Sequence, residues 1–323
     1  MRLRGFVRFS FLVFPTLTMA TGGVKDFTLP SATDSALIHL SDYAGKVVLI
    51  NWWRTSCTWS QAEAPKLVAL QSQYRDKGLV ILGVSDDDSQ SIANVPGYLK
   101  RYGITWPVGL NDQGEFMHEV TVLSARDGRP EGETPGNYIV SRSGQITYLG
   151  LDRSPEAWKK LLLAVQQALA EKPSASPSIQ PRKLEKAPPL SLADLQGKRL
   201  SLSSLLGKPL VVNFFNADTC DWTGAVISKL YQDYSSRGLQ VIGINLYDSD
   251  AAIQQCKAKY HANYPILRGD QTTQMAWIES NKAWATFFVT SDGKILKAIT
   301  GSPENGIEQT VFPKFAAYLL GHH

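Results

Sequence analysis

Short apolar runs alternate with amphipathic segments along this chain. Residues 47–53 and 79–84 are apolar and rich in β-branched side chains, a pattern typical of strands buried on both faces of a parallel sheet. Between them, residues 64–76 repeat apolar side chains at helical spacing. Residues 137–140 and 145–149 then flank a Ser- and Gly-containing turn that predicts a hairpin, and an amphipathic helix follows. This alternation predicts an α/β layer fold.

The same pattern occurs twice. The segment 40–53 resembles the segment 202–215, and Cys57-Thr-Trp-Ser60 resembles Cys220-Asp-Trp-Thr223. Further matches follow in the same order: Gly78-Leu79 with Gly238-Leu239, 102–112 with 260–270, and 137–146 with 286–295. The ordered matches indicate an internal duplication.

The duplication sets the domain boundaries that we predict. Residues 173–189 are rich in Pro and Ser and are typical of a linker. They separate a first domain at 24–172 from a second at 190–321. Residues 1–20 combine a basic start, an apolar stretch and a small-x-small end at Ala20, which predicts a cleaved secretory signal. We therefore expect a periplasmic or otherwise exported protein without a transmembrane segment after cleavage.

Composition excludes several classes of function. The 323 residues carry a net charge of +4 without a dense basic face, so nucleic acid is not an expected partner. Three cysteines are too few for a disulfide scaffold or a paired-cysteine zinc site. No phosphate loop or H-E-x-x-H helix is present, and we predict no cofactor and no metal. A metal bound by Cys57 with His39 or His118 is a weak alternative.

Cys57 carries the clearest chemical signal. It stands where an apolar strand ends and a helix begins, so its sulfur meets unpaired backbone N–H groups and the positive end of the helix dipole. Both favour the thiolate, which is the nucleophilic form. A purely structural cysteine lies more often inside an apolar element.

The segment Asn51-Trp-Trp-Arg-Thr-Ser-Cys57-Thr-Trp-Ser60-Gln-Ala-Glu63-Ala-Pro65 resembles the active site of exported thioredoxin-like reductases of the TlpA and ResA group. The resemblance implies two tandem thioredoxin-like domains, each a mixed central sheet with helices on both faces. It also implies exchange with protein or small-molecule thiols and disulfides, and a membrane thiol-disulfide electron donor.

This chain departs from that family at one position. Ser60 replaces the second cysteine, and a hydroxyl cannot resolve a mixed disulfide, so a monothiol or isomerase-like role is expected. Glu63 matches the family's acidic residue and is either a proton carrier with a raised pKa or a solvated helix-start carboxylate. Pro135 matches the family's cis-proline, and Thr134 would present its backbone to a substrate. Trp59 is a candidate partner contact.

The second copy keeps less of the site. Matching Cys220 to Cys57 puts Thr223 at the second-cysteine position and Val226 at the acid, while Trp284 replaces the cis-proline. An ungapped alignment of the helices would instead place Cys220 opposite Ser60. Either way we expect a vestigial site.

Trp222 and Trp284 are the expected contacts of that vestigial site with a partner or with the first domain. Cys256 lies in a helical stretch and is interpreted as a buried thiol. A disulfide between Cys57 and Cys220 is a less favoured alternative.

Three functions remain. We expect an exported monothiol thiol-disulfide oxidoreductase. The alternative is a binding module that kept the fold and lost the chemistry. A one-cysteine peroxidase is weaker, because Arg54 stands where that family places a Thr.

Overall fold

The computed structural model describes residues 24–111, 136–150, 154–172, 179, 181–217, 219–278, 284–300, 306 and 308–321. The segment 1–20, Thr134 and Pro135 lie outside this part of the chain, as does most of the linker before residue 181. Predictions about the secretory signal and the cis-proline therefore stay predictions. Among the described residues, no helix is long and apolar enough to cross a membrane.

The first domain is built on one mixed sheet, which has five strands in the described part of the chain. The strands of the whole domain are β1 (Thr28–Pro30), β2 (Leu37–His39), β3 (Val47–Trp53), β4 (Leu79–Ser85), β5 (Val108–Leu110), β6 (Gly136–Val140) and β7 (Ile146–Gly150). Its helices are α1 (Thr58–Tyr74), α2 (Val95–Tyr102) and α3 (Pro155–Ala170). The sheet order is β5-β4-β3-β6-β7, with β3, β4 and β5 parallel and the β6–β7 hairpin antiparallel to them, while β1 and β2 form a separate pair.

The second domain repeats this topology. Its strands are β8 (Ser191–Ala193), β9 (Arg199–Ser201), β10 (Leu210–Phe215), β11 (Gln240–Asn245), β12 (Ile266–Arg268), β13 (Ala285–Val289) and β14 (Ile295–Thr300). Its helices are α4 (Leu202–Leu205), α5 (Cys220–Tyr234), α6 (Asp250–Lys259), α7 (Gln271–Trp277) and α8 (Glu308–Gly321). The sheet order β12-β11-β10-β13-β14 matches that of the first domain strand for strand, which confirms the predicted tandem α/β fold.

The local sequence explains why the elements fall at these positions. All residues of β3 and of β10 are buried, as expected for central strands covered on both faces. Each is followed by a helix and a short 3₁₀ turn (Arg75–Lys77 and Ser235–Arg237). Gly78 and Gly238 then adopt φ of 96° and 103°, a left-handed conformation that glycine adopts without steric cost and that redirects the chain into β4 and β11.

The two domains contact each other through polar groups as well as apolar ones. Helix α8 packs near β1 and β2. The fully buried Lys297 donates from Nζ to the carbonyl oxygen of Thr28 at 3.2 Å, and Lys314 Nζ donates to that of Asp34 at 2.6 Å. These bonds join the second domain to the first strand pair of the first domain.

Candidate functional site

Cys57 occupies the N-cap position of α1. Its backbone is extended, with φ −79° and ψ 117°, and its side chain is partly exposed and outside any disulfide. The N-cap is the position from which a side chain meets the first backbone N–H groups of a helix. The structure therefore places Cys57 at the start of the helix, and a favoured thiolate at this position stays a prediction.

The loop before Cys57 is anchored by acidic residues at the end of β4. Asp87, which is 2% exposed, accepts bonds from the Thr55 backbone N–H and hydroxyl and from the Ser85 hydroxyl. Arg54 pairs with Asp86 at 2.6 Å. Sequence reasoning missed this anchor, although three consecutive aspartates after a strand adjacent to the cysteine strand were a usable signal.

Asp86 is itself a buried carboxyl. Burial raises its pKa, and the Asn111 amide, which donates to Oδ1 at 2.7 Å, and the Arg54 guanidinium act in the opposite direction. Arg54 is thus committed to this carboxylate, although its side chain remains 45% exposed.

Ser60 lies in the first turn of α1, three residues after Cys57, and is 3% exposed. Its hydroxyl accepts from the Arg54 N–H at 3.5 Å, and the Tyr98 hydroxyl donates to its carbonyl oxygen at 2.9 Å. Tyr98 also stacks on Trp53, with ring centroids 4.4 Å apart, and burial raises its pKa. Tyr98 joins α2 to the site, a role that its position in the sequence did not reveal.

Glu63 is held by two side-chain amides. Asn137 Nδ2 donates to Oε1 at 2.7 Å and Asn51 Nδ2 donates to Oε2 at 3.3 Å, while Asn51 also donates to Asn137 Oδ1 at 3.0 Å. Asn51 and Asn137 face each other in the β3–β6 register. Burial raises the pKa of Glu63, and the two amides partly oppose that shift. Partial burial and the two amide bonds favour the first of the two interpretations of Glu63, and proton transfer remains a prediction.

Trp59 follows Cys57 on the surface. Its side chain is 50% exposed, whereas Trp53 is 2% exposed and belongs to the core. An exposed indole beside a reactive-type thiol is consistent with a partner contact, which stays a prediction.

The helices of the two domains align without the gap that we preferred from the sequence. Helices α1 and α5 end at equivalent tyrosines before equivalent glycine turns. Counted back from these ends, the buried positions coincide: Ser60 with Cys220, Ala64 with Gly224, Leu67 with Ile227, and Leu70 with Leu230. The alternative alignment is therefore correct, and Cys220 lies at the Ser60 position. Thr223, and not Val226, lies at the Glu63 position.

Cys220 forms a disulfide with Cys256, with Cα atoms 6.2 Å apart. The interpretation of Cys256 as a buried thiol is thus wrong, and the alternative pairing of Cys220 with Cys57 does not occur. The repeat match of Tyr102 with Tyr260 places Cys256 at the Tyr98 position. The Ser60–Tyr98 contact of the first domain and the disulfide of the second therefore occupy the same place.

The remaining predicted residues of the second copy are less accessible than expected. Trp284 is 4% exposed, so its indole offers little surface to a partner, and its expected contact with the first domain stays a prediction. Trp222 lies in α5, and its side chain is outside the described part of the structure. The Thr223 hydroxyl is buried, and no other described residue forms a hydrogen bond with it.

Metal ligation gains no support from the residues that the structure describes. His39 Nδ1 hydrogen-bonds the Thr28 hydroxyl at 3.0 Å, and His118 lies outside the described ranges. No group of three potential ligands is present among the described residues.

Comparison with known proteins identifies the family. The AhpC/TSA family model matches residues 22–149 and 184–298, once in each domain. These stretches cover more than half of the chain, which therefore belongs to the AhpC/TSA family and consists of two thioredoxin-like domains.

Curated relatives match over part of their length. The thiol-disulfide oxidoreductase ResA of Bacillus subtilis is 26% identical over 118 residues, which are 36% of this chain and 66% of that protein. The ResA of Oceanobacillus iheyensis is 31% identical over 113 residues, which are 35% of this chain and 53% of that protein. The chain thus spans between half and two thirds of these relatives.

Solved structures match less than half of this chain. A putative thiol:disulfide interchange protein DsbE from Chlorobium tepidum is 18% identical, covers 44% of this chain and all of its own, and has a TM-score of 0.38. A putative thioredoxin from Neisseria meningitidis is 25% identical, covers 41% of this chain and 91% of its own, and has a TM-score of 0.35.

Proposed function

We propose that the chain is a thiol-disulfide exchange protein and that Cys57 of the first domain carries the exchange. The observation that carries this proposal is the partly exposed Cys57 thiol at the N-cap of α1, the helix that also holds the buried Ser60 and the partly buried Glu63. Similarity to proteins named thiol-disulfide oxidoreductase ResA supports the class of reaction.

The reaction has two steps. The Cys57 thiolate attacks one sulfur of a substrate disulfide, a bond forms between the two sulfurs, and the other substrate sulfur leaves as a thiolate. Glu63, whose pKa burial raises, takes up or returns the thiol proton. Because Ser60 cannot attack the mixed disulfide, an external thiol attacks it and restores Cys57. This is a monothiol, isomerase-like cycle, and its partners are protein or small-molecule thiols and disulfides, including a membrane thiol-disulfide electron donor.

The site of action that we propose is outside the cytoplasm. The Cys220–Cys256 disulfide supports an oxidising compartment such as the periplasm, and the sequence of residues 1–20 supports export. N-terminal sequencing of protein from the native cell envelope should begin after Ala20. Recovery of intact Met1 in the soluble cytosolic fraction would contradict this.

The exchange itself is tested with Cys57 as the sole cysteine. In the double variant Cys220→Ser/Cys256→Ser, a glutathionylated peptide should transfer glutathione to Cys57, detected by intact mass. The alkylation rate should report an apparent pKa below the ~8.5 of free cysteine. The triple variant that adds Cys57→Ser is the control and should form no adduct. An apparent pKa at or above the free value, without adduct formation, would favour a binding module.

A further inference from the structure

We propose that the Cys220–Cys256 disulfide is a second exchange site, a two-electron acceptor for dithiols, and not only a staple between α5 and α6. The proposal concerns residues of the second domain and does not depend on the reactivity of Cys57.

The two sulfurs of this disulfide differ in environment. Cys220 is the first residue of α5 and is 3% exposed, whereas Cys256 on α6 is partly exposed. Cys256 is the more exposed of the two residues, although it packs against the core, and we therefore place the attack of an incoming thiolate there. The leaving group is Cys220, whose sulfur departs at a helix N-terminus, where unpaired N–H groups and the dipole stabilise a thiolate. Attack at the accessible sulfur and departure at the stabilised one are a favourable combination for exchange.

A second observation points to the same sulfur. Thr223 is fully buried, and its hydroxyl has no hydrogen-bond partner among the residues that the structure describes. It lies three residues after Cys220 and therefore on the same face of α5. A buried hydroxyl without a partner is costly, and a Cys220 thiolate formed on reduction would accept its hydrogen bond. The same spacing relates Ser60 to Glu63 in the first domain.

The two helices have contacts that do not require the disulfide. Asp221 Oδ1 accepts from Lys259 Nζ at 2.8 Å and from the Tyr260 hydroxyl at 2.6 Å. A Cβ at Gly224 would lie 2.7 Å from the Tyr260 ring, so a residue without a side chain lets the ring approach α5 closely. Reduction would thus leave α5 and α6 together and the sulfurs close enough to re-form the bond.

The reaction balances with a dithiol as reductant. One thiolate attacks Cys256 Sγ, the Cys220–Cys256 bond breaks, and Cys220 leaves as a thiolate. The second thiol of the donor then attacks the donor's own sulfur, which closes the donor disulfide and releases Cys256. The donor loses two electrons, and the two cysteines gain them.

The test uses the full chain with Cys57→Ser, which leaves only this pair. Dithiothreitol is added without denaturant, thiols are alkylated at intervals, and intact mass is measured. We expect both thiols to appear together, at a rate proportional to dithiothreitol concentration, with the near-UV circular dichroism retained and the disulfide restored on oxidation. A reduction rate that does not depend on dithiothreitol and equals the unfolding rate would overturn the proposal.

Single-cysteine variants test the direction of attack. Cys57→Ser/Cys220→Ser leaves Cys256, and Cys57→Ser/Cys256→Ser leaves Cys220. We expect Cys256 to react with an aromatic disulfide about tenfold faster than Cys220, because access controls the rate. Faster reaction of Cys220 would reverse the assignment. In the Cys57→Ser protein, which keeps the Cys220–Cys256 disulfide, Thr223→Val should slow reduction of that disulfide severalfold. The control Ser228→Ala removes another buried hydroxyl of α5 and should not slow reduction. Equal effects of the two substitutions would contradict the role of Thr223.

Discussion

The two domains keep the same anchor for the loop before the helix but differ in the polar group below it. In the first domain the Thr55 N–H donates to Asp87, and in the second the Ala217 N–H donates to Asp248 at 2.6 Å. The last residue of the adjacent strand also donates to this aspartate in each domain: Ser85 Oγ donates to Asp87, and Asn245 Nδ2 donates to Asp248. The loop anchor is therefore part of the fold and independent of the chemistry.

The polar group under the helix separates the two copies. Glu63 is bound by two amides, whereas Thr286 donates to Asn213 Oδ1 at 2.9 Å and leaves Thr223 without a partner among the described residues. Of the two equivalent positions, only the one in the first domain carries a carboxyl, and it is partly buried. After the duplication, the two domains kept the loop anchors that stabilise the fold and diverged at the Glu63 and Ser60 positions.

The largest expected effect tests the missing second sulfur of the first domain. Ser60→Cys should let an internal thiol release the mixed disulfide and leave an intramolecular disulfide that an external dithiol then reduces, because Ser60 already lies one helical turn from Cys57 in a buried site. An intramolecular thiol acts at a far higher effective concentration than a millimolar free thiol, so release of the mixed disulfide should accelerate about a thousandfold.

Stopped-flow release of a thiol leaving group, measured in the Cys220→Ser/Cys256→Ser background, provides the readout. The matched control is Ser72→Cys, which adds a thiol on the exposed part of α1. Equal acceleration by both variants would mean that position 60 has no special access to Cys57.

Removing the disulfide should destabilise the second domain alone. The bond closes a loop with a sequence separation of 36, for which chain entropy gives about 4 kcal/mol. Cys220→Ser/Cys256→Ser should therefore lower the free energy of unfolding of that domain by roughly 3–4 kcal/mol. Hydrogen exchange of β10 and β11, compared with β3 and β4, measures this. Loss of protection in both sheets would show that the domains unfold as one unit.

The loop anchors should have equal importance in the two domains. Asp87→Ala removes the acceptor of the Thr55 N–H and of two hydroxyls in a buried place, at a cost of about 2–3 kcal/mol. Asp248→Ala should destabilise the second domain similarly. Denaturant unfolding followed by domain-resolved hydrogen exchange checks both, with the more exposed Asp88→Ala as control. A large effect in one domain only would show that the Asp87 and Asp248 anchors are not equivalent.

Apolar runs, glycine turns and the duplicated order were sufficient to predict both sheets and the helix that follows Cys57. They failed at the start of α5, where the Cys-x-Trp match favoured a gap that the helix ends and buried positions exclude. A short motif matches by identity, whereas helix register depends on which positions face the core, and that requires both helices to be placed. The Cys220–Cys256 pairing was missed for the same reason, since it depends on the contact between α5 and α6.

The smallest expected effect concerns the proton group that only the first domain has. In the Glu63→Gln variant the side chain cannot carry a proton. Its NH₂ group would also face the NH₂ group of Asn51 or Asn137, each of which now donates to a carboxylate oxygen. We expect the exchange rate of Cys57 to fall about tenfold or more and to lose one ionisation from its pH profile. Glu156→Gln, on the surface of α3, is the matched control and should change neither.

The pH dependence of protein stability is an independent test of the raised pKa of Glu63. Burial raises the folded pKa of Glu63 above 4.5, so the stabilisation from its protonated form is complete below the unfolded pKa and is lost as pH rises through the folded pKa. The Glu63→Gln variant keeps this stabilisation at every pH, because the amide is always uncharged. Relative to the parent protein, the variant should therefore gain stability as the pH rises from the unfolded pKa of Glu63 through its folded pKa. Denaturant unfolding of both proteins across that range measures the difference. A constant difference would mean that Glu63 ionises as it does in the unfolded chain, and the distinction between the two domains would then rest on the cysteines alone.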